Sequence, residues 1–364
     1  MKKLLFATCC IAFLSGSLGA AAQKKSAAKN VLTQTLKGKS WSADNGNGTF
    51  TNPLFYDEFS DPDIIRVGED YYLAGTTMHS VPGLVVLHSK DLVNWEFSSY
   101  CFDRFDDSDD FNLRNGKEAY GQGIWAPAIR YHNGKFYIFS NINGHGLQVY
   151  ISDSAKGPWT HHKVNGDIYD LSVLFDEDGK IYAVHKYGNV TVTELKPDLS
   201  GPVEGSSKVV IPEGNAMGEG HHVYKINGMY YILSADYSPM GRMQCARSKS
   251  IWGPYETCVI SERESYGYAA GWSVGNMGIG RPLPEDGFKF QNNQPNGLNL
   301  GCATIHQGGI VQAPDGKWWG VSMQDFNAVG RTVCLSPITW VDGWPYFGLE
   351  KNLGRSPRTW FKPN

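Results

Sequence analysis

The sequence predicts an all-β protein, a five-bladed β-propeller, on three observations. A turn followed by bulky residues recurs five times, as VGEDYYLAGT from Val67, HNGKFYIFSN from His132, DEDGKIYAVH from Asp176, INGMYYILSA from Ile226 and PDGKWWGVSM from Pro314. Each copy follows an apolar run of strand length (DIIRV, AIRYH, VLFDE, VYKI, GIVQAP), so each reads as a hairpin of β-branched and aromatic strands. After three of the hairpins a polar turn leads into one more aromatic-led strand, in HSKDLVNWE, ISDSAKGPWT and RSKSIWGPYE. Four antiparallel strands in a repeat of about 45 residues cannot bury both faces alone, and radial repetition is the arrangement that covers them. A sandwich or barrel leaves the fixed order of inner hairpin and outer turn unexplained.

Composition agrees. The 364 residues are 41% hydrophobic and 19% charged, which suits a globular protein with a large core, and 42 glycines suit many turns. A formal charge of -3 offers no basic stripe for nucleic acid and no polybasic membrane patch, so a neutral or small partner is expected.

The chain opens on MKKLLFATCCIAFLSGSLGAAAQKK, in which Lys2 and Lys3 precede an apolar stretch too short to span a bilayer and then Ala20, Ala21 and Ala22. Residues 1–22 therefore read as a cleavable export signal, 23–50 as a linker and 51–364 as the propeller, which stops at SPRTWFKPN. The expected location is secreted or periplasmic, with no membrane attachment after cleavage. Loss of Cys9 and Cys10 with the signal leaves Cys101, Cys245, Cys258, Cys302 and Cys334, an odd set with at least one free thiol. Cys245 and Cys258 could face each other on neighbouring strands, although a core of this size needs no staple. Two long insertions interrupt the repeats, one after Cys101 and a Gly- and Asn-rich one after Tyr266. Such loops are usually functional rims or mobile segments. The cluster Asp106, Asp107, Asp109 and Asp110 lacks the spacing of a calcium loop and reads as a solvated face.

Aligning the repeats, with one or two residues of slack in the turns, brings Asp61 of SDPDIIRV, Trp125 of WAP, Asp170, Glu219 and His306 to the heads of the inner strands. In a propeller those heads converge on one face of the central channel. Three carboxylates crowded there raise one another's pKa values, a cost seldom kept without a chemical use. Glycosidic bond cleavage is one such use: a carboxylic acid protonates the leaving oxygen, a carboxylate activates water from the opposite side, and a third carboxylate near the acid keeps it protonated.

At these residues the chain resembles glycoside hydrolase family 43, the five-bladed propeller β-xylosidases, α-L-arabinofuranosidases and arabinanases. The matching stretches are SDPDIIRVGEDYYL, PGLVVLHSKDLVNWE, IWAPAIRYHNGKFYIF, DLSVLFDEDGKIY, GEGHHVYKINGMYYIL, ARSKSIWGPYE and HQGGIVQAPDGKWW. The resemblance implies Asp61 as general base, Asp170 as pKa modulator and Glu219 as general acid, with inversion at the anomeric carbon. It implies His306 as a channel histidine that helps hold a central ion, often calcium, although a histidine bonded to loop carbonyls fits the residue as well. No cofactor is required for the chemistry. The third motif reads DLS where the family commonly has DPS, and MHSVPG replaces a stretch that often carries a tryptophan, so the sugar platform falls to Met78, His79 or Trp125. Trp125 could equally be core packing, and Arg331 could bind sugar hydroxyls or be structural. The implied substrates are xylose or arabinofuranose units of plant cell-wall hemicellulose, removed from chain ends or side chains; an endo-acting arabinanase and a non-catalytic carbohydrate-binding propeller are the alternatives.

Overall fold

The computed structural model describes residues 42–105, 108–215, 217–236, 242–260, 305–325, 331–348 and 359–363. The expected export signal, most of the expected linker, Asp106, Asp107, Cys302 and the Gly-rich insertion lie outside them. Five antiparallel sheets follow one another in the chain. From inside outward, blade I is Ser60–Val67, Asp70–Thr76, Gly83–Ser89 and Trp95–Phe102, and blade II is Ala128–His132, Lys135–Ile142, Gly146–Ser152 and Thr160–Val164. Blade III is Ser172–Phe175, Ile181–His185, Val190–Leu195 and Lys208–Ile211, and blade IV is Glu219–Ile226, Met229–Asp236, Arg242–Ser248 and Glu256–Val259. In blade V the inner strand is split into Ile305–His306 and Ile310–Gln312, followed outward by Trp318–Asp325, Arg331–Val341 and Trp344–Phe347. Inner strands of successive blades touch, and blade V returns to blade I, so the ring is closed.

The paired bulky residues of each repeat have a common explanation. Successive residues of a strand point to opposite faces, so each second strand supplies two inter-blade cores at once. Phe136 and Ile138 enter the core shared with blade I, while Phe139 enters the one shared with blade III. Tyr71 and Leu73 go one way and Ala74 the other; Tyr230 and Ile232 are likewise opposed to Tyr231 and Leu233. Each fully buried large side chain contributes about 1.5–3 kcal/mol.

Closure lies between blades V and I. Thr49–Thr51 pairs antiparallel with Thr359–Phe361, placing Phe50 opposite Trp360 in the same core as Trp319 and Leu335. The buried Asn52 side chain donates to the Leu335 carbonyl and accepts from its N–H, both at 2.8 Å. Lys362 adds ion pairs to Asp44 at 2.6 Å and Asp91 at 3.0 Å. The compact unit therefore begins at Ala43, not at residue 51, because the segment read as the end of a linker supplies the closing strand. Cys245 and Cys258 do stand directly opposite each other on paired strands, as thiols. Of the acidic cluster, Asp109 pairs with Arg114 and Lys117, and Asp110 with His145.

At the centre the blades are tied by one buried polar network. Asp63, fully buried, accepts from the Ile129 N–H at 2.9 Å, the Ile64 N–H at 3.0 Å and the Arg130 guanidinium, and lies 3.1 Å from His222 Nδ1. Arg130 also donates to Ser172 Oγ and the Val173 carbonyl, and Ser172 Oγ accepts from the Val223 N–H. Beside the network, the Tyr224 hydroxyl of blade IV reaches blade V by accepting the Ile310 N–H at 2.9 Å. Gly309 makes room for it, since a Cβ there would stand 2.5 Å from the Tyr224 hydroxyl. Burial alone would raise the Asp63 pKa, but Arg130 and His222 outweigh it and hold the carboxyl below its ordinary value. Asp63→Ala strands a buried guanidinium, and a loss of about 3–5 kcal/mol is expected in chemical denaturation. An unchanged midpoint would show that the network is dispensable.

Candidate active site

The second strand of each repeat defines the true register of the inner strand heads. Ser60 pairs with Thr76, Glu219 with Ala235 and His306 with Met323, while Trp125 N–H bonds the Asn141 carbonyl and Lys186 N–H bonds the Tyr169 carbonyl. Ser60, Trp125, Tyr169, Glu219 and His306 are thus equivalent. One residue further on stand Asp61, Ala126, Asp170, Gly220 and Gln307. Four of these adopt positive φ: 51° at Asp61, 50° at Asp170, 66° at Gly220 and 48° at Gln307. Non-glycine residues seldom take that conformation, and it clusters where surrounding structure enforces it. The alignment by sequence brought Asp61, Asp170 and Glu219 together only to within one or two residues. In the structure Glu219 precedes the bend and the two aspartates occupy it.

These two layers open on a pocket of about 200 Å³, lined by Asp61, Trp125, Ala126, Tyr169, Asp170, Glu219 and Gln307 together with Met78, Asn141 and Arg331. That size suits one small ring more than a drug-sized ligand. Carboxylates from blades I, III and IV therefore share one small space with an aromatic wall and a guanidinium.

Each carboxylate has its own support. Thr76 Oγ1 donates to Asp61 Oδ2 at 2.8 Å, the Asp61 N–H points at Met323 Sδ at 3.4 Å, and Arg331 Nη1 lies 3.5 Å from Asp61 Oδ1. Asp170 Oδ2 accepts the Gly220 N–H at 2.7 Å, so the residue after Glu219 clasps the neighbouring carboxylate. Glycine is required at 220, because a Cβ would stand 2.4 Å from the Gln307 side chain and the φ is left-handed. The Asp170 N–H donates to Asn141 Oδ1 at 3.2 Å, and Asn141 Nδ2 donates to the Ile168 carbonyl at 2.8 Å. Glu219 Oε2 accepts from the Tyr169 hydroxyl at 3.4 Å.

Electrostatics follows from crowding. Burial first, then the charges of Glu219 and Asp61, push Asp170 up to about 8 against the opposing pull of the Gly220 N–H and Arg331. Burial and then Asp61 raise Glu219, with Tyr169 and Arg331 opposing. The larger rise falls on Asp170, the reverse of the expected direction of influence. Asp170 and Glu219 form a coupled pair that holds a proton at neutral pH, and that proton belongs to both.

His79 is not on the pocket wall. Its ring packs on Tyr120 with centroids 4.7 Å apart, and its Nδ1 accepts the Gly121 N–H, because the chain turns outward after Met78. The His306 side chain lies outside the described residues. Among those described, no group of three or more His, Cys, Asp or Glu could hold a metal ion. Asp63, on the layer beneath the pocket, is engaged by a guanidinium and so does not offer the free oxygens that calcium takes. Sequence reasoning passed over Tyr169, Asn141, Thr76, Met323 and Gln307. The repeat alignment held the signal for three of them, since Thr76, Asn141 and Met323 share the sixth place of their second strands in YYLAGT, FYIFSN and WWGVSM.

Comparison with known proteins identifies the family. The family model described as Glycosyl hydrolases family 43 matches residues 50–267, which include all three pocket carboxylates. A β-xylosidase of Formosa agariphila is 29% identical over 384 residues, covering 94% of this chain and 58% of its own length. A non-reducing end α-L-arabinofuranosidase of Bacteroides ovatus is 33% identical over 332 residues, covering 87% of this chain and 56% of its own. A solved structure of a bifunctional family 43 protein of Bacteroides eggerthii superposes with a TM-score of 0.70 at 33% identity, covering 86% of this chain and 37% of that one. The chain thus spans little more than half the length of these curated relatives. With well over half of its residues under one family model and a one-third identical relative across most of its length, the chain belongs to glycosyl hydrolases family 43.

Proposed function

We propose that this protein hydrolyses terminal xylose or arabinofuranose units from hemicellulose by a single, inverting displacement. The observation that carries the reading is the convergence of Asp61, Asp170 and Glu219 from three blades on one small pocket with Trp125 and Arg331 on its wall. The named activities of the two relatives, β-xylosidase and non-reducing end α-L-arabinofuranosidase, supply the sugars. In this reading Asp61 is the general base: Thr76 and Arg331 orient it, and it takes a proton from water attacking the anomeric carbon. Glu219 is the general acid and gives its proton to the departing glycosidic oxygen. Asp170 is the modulator: crowded against Glu219, it keeps a proton on the pair near neutral pH. Arg331 offsets the crowded negative charge and donates to sugar hydroxyls, and Trp125 faces the ring. The chemistry needs no metal, and a channel ion near His306 belongs to the proposal only as a structural element. Export with cleavage near Ala22 belongs to it too, because a cell-wall polymer is met outside the cytoplasm.

A panel of nitrophenyl glycosides with proton NMR of the first-formed sugar tests the reaction. Release of the inverted anomer from a β-xyloside or an α-L-arabinofuranoside is expected; no release, or a retained anomer, removes the mechanism. Asp61→Asn and Glu219→Gln should each lower turnover by roughly two or more powers of ten with the fold intact. The Glu219 variant alone should recover in part on aryl glycosides whose leaving group needs little protonation. Equal losses on both substrate types would cancel the division of roles.

Asp170→Asn removes one of the two carboxyls that share the proton, so the alkaline limb of kcat/KM should move to lower pH; an even loss at every pH would make Asp170 a positioning residue. Stability gives an independent reading. A carboxyl raised to about 8 binds a proton in the folded chain that the unfolded chain has already released, so wild-type stability falls as pH rises from about 4 toward 8. The Asn variant lacks this loss, and its melting temperature relative to wild type should rise across that interval.

A further inference from the structure

Two consecutive residues of blade III meet two consecutive residues of blade IV across the pocket. The Gly220 N–H donates to Asp170 Oδ2 at 2.7 Å and the Tyr169 hydroxyl donates to Glu219 Oε2 at 3.4 Å, so each pair supplies one donor and one carboxyl. The first donor is backbone, the second a side chain. Tyr169 is itself held in place: its carbonyl accepts the Lys186 N–H at 3.0 Å, and its ring packs edge-on against Trp125 with centroids 6.3 Å apart. Burial and then the charges of Glu219, Asp170 and Asp61 raise the phenol above its ordinary value, so it keeps its proton and stays a donor to Glu219.

We propose that Tyr169 positions the general acid and takes up, through its hydroxyl, the negative charge left on Glu219 when the proton passes to the departing oxygen. This rests on the hydrolytic reading of the pocket and adds a residue to it. A hydroxyl bonds a neutral carboxylic acid more weakly than a carboxylate, to which the O···O distance closes to about 2.5–2.7 Å. At 3.4 Å the contact has room to shorten as Glu219 becomes charged. A contact stronger after proton transfer than before it lowers the barrier to that transfer. The other groups around Glu219 are differently placed. Asp61 of blade I and Asp170 of blade III repel its charge, Trp125 and Asn141 of blade II carry none, and Arg331 of blade V favours it while standing 3.5 Å from Asp61 Oδ1. Tyr169 directly precedes Asp170, so one strand head bears both the modulator and the donor.

Tyr169→Phe tests this, since it keeps the ring and removes the hydroxyl. Loss of a donor to the charged form leaves the proton on Glu219 to higher pH. The alkaline limb of kcat/KM should therefore move up by about one unit, the scale of one hydrogen bond to a charged group and opposite in sign to Asp170→Asn. Turnover should fall roughly tenfold on xylobiose or arabinobiose, whose leaving group needs protonation, and by less than about threefold on a dinitrophenyl monoglycoside. A limb that stays where it was, with equal losses on both substrates, makes Tyr169 a pocket wall and overturns the proposal. Carbon-13 NMR titration of the chain labelled at its glutamate carboxyls needs no turnover, the Glu219 signal being identified by its loss in Glu219→Gln. Its midpoint should rise in Tyr169→Phe. An unmoved midpoint overturns the proposal even where hydrolysis is seen. A raised midpoint in a chain whose wild type hydrolyses no glycoside removes the hydrolytic reading and leaves Tyr169 as the residue that positions Glu219.

Discussion

The structure depends on a single buried carboxylate. Asp63 gathers two backbone N–H groups, a guanidinium and an imidazole at the centre of the ring; through Arg130, Ser172 and His222 its network ties blades I to IV, and the adjacent Tyr224 hydroxyl bonds blade V. A ring of sheets is held side to side by apolar cores, which are non-directional and would tolerate a small rotation of one blade against the next. Charged hydrogen bonds are directional. They fix the rotation of each blade, and with it the place where each inner strand head meets the axis.

That placement lets the layer above carry charge at a cost. Directly over the satisfied network, three carboxylates face one another with one nearby guanidinium, and two of them are raised above their ordinary values. Two aspartates also hold a backbone conformation that non-glycine residues rarely take. Crowding and strain at one spot persist only where the surroundings over-determine the geometry. Here Thr76, Asn141 and the Gly220 N–H do so from neighbouring strands and blades. The two layers divide the work, the lower one ordering the blades and the upper one spending that order on a reactive arrangement.

The DPD of the first blade shows the division within three residues. Asp61 and Asp63 flank Pro62, and by residue type they are interchangeable. The bend at Asp61 turns its side chain into the pocket, while Asp63, beyond a register shift in the strand pairing, is fully buried among its partners. One is placed for chemistry and the other for architecture.

By itself the sequence determined the blade number, the hairpins, the outer turns and the identity of the carboxylates at the strand heads. Those are period-two and turn signals, written locally and repeated five times, so each copy supports the others. Trp125 and Arg331 stood in the sequence as candidates for the site, each beside a structural reading. The tertiary structure decided the rest. It set Glu219 one place ahead of Asp61 and Asp170, because a single residue at positive φ changes what a strand head presents. Tyr169 and Asn141 became pocket walls and His79 was left off them, because neighbouring blades and an inserted loop, distant in sequence, meet there. The larger pKa rise went to Asp170 and not to Glu219, because burial is a property of the closed ring and cannot be read from the spacing of charges along a chain.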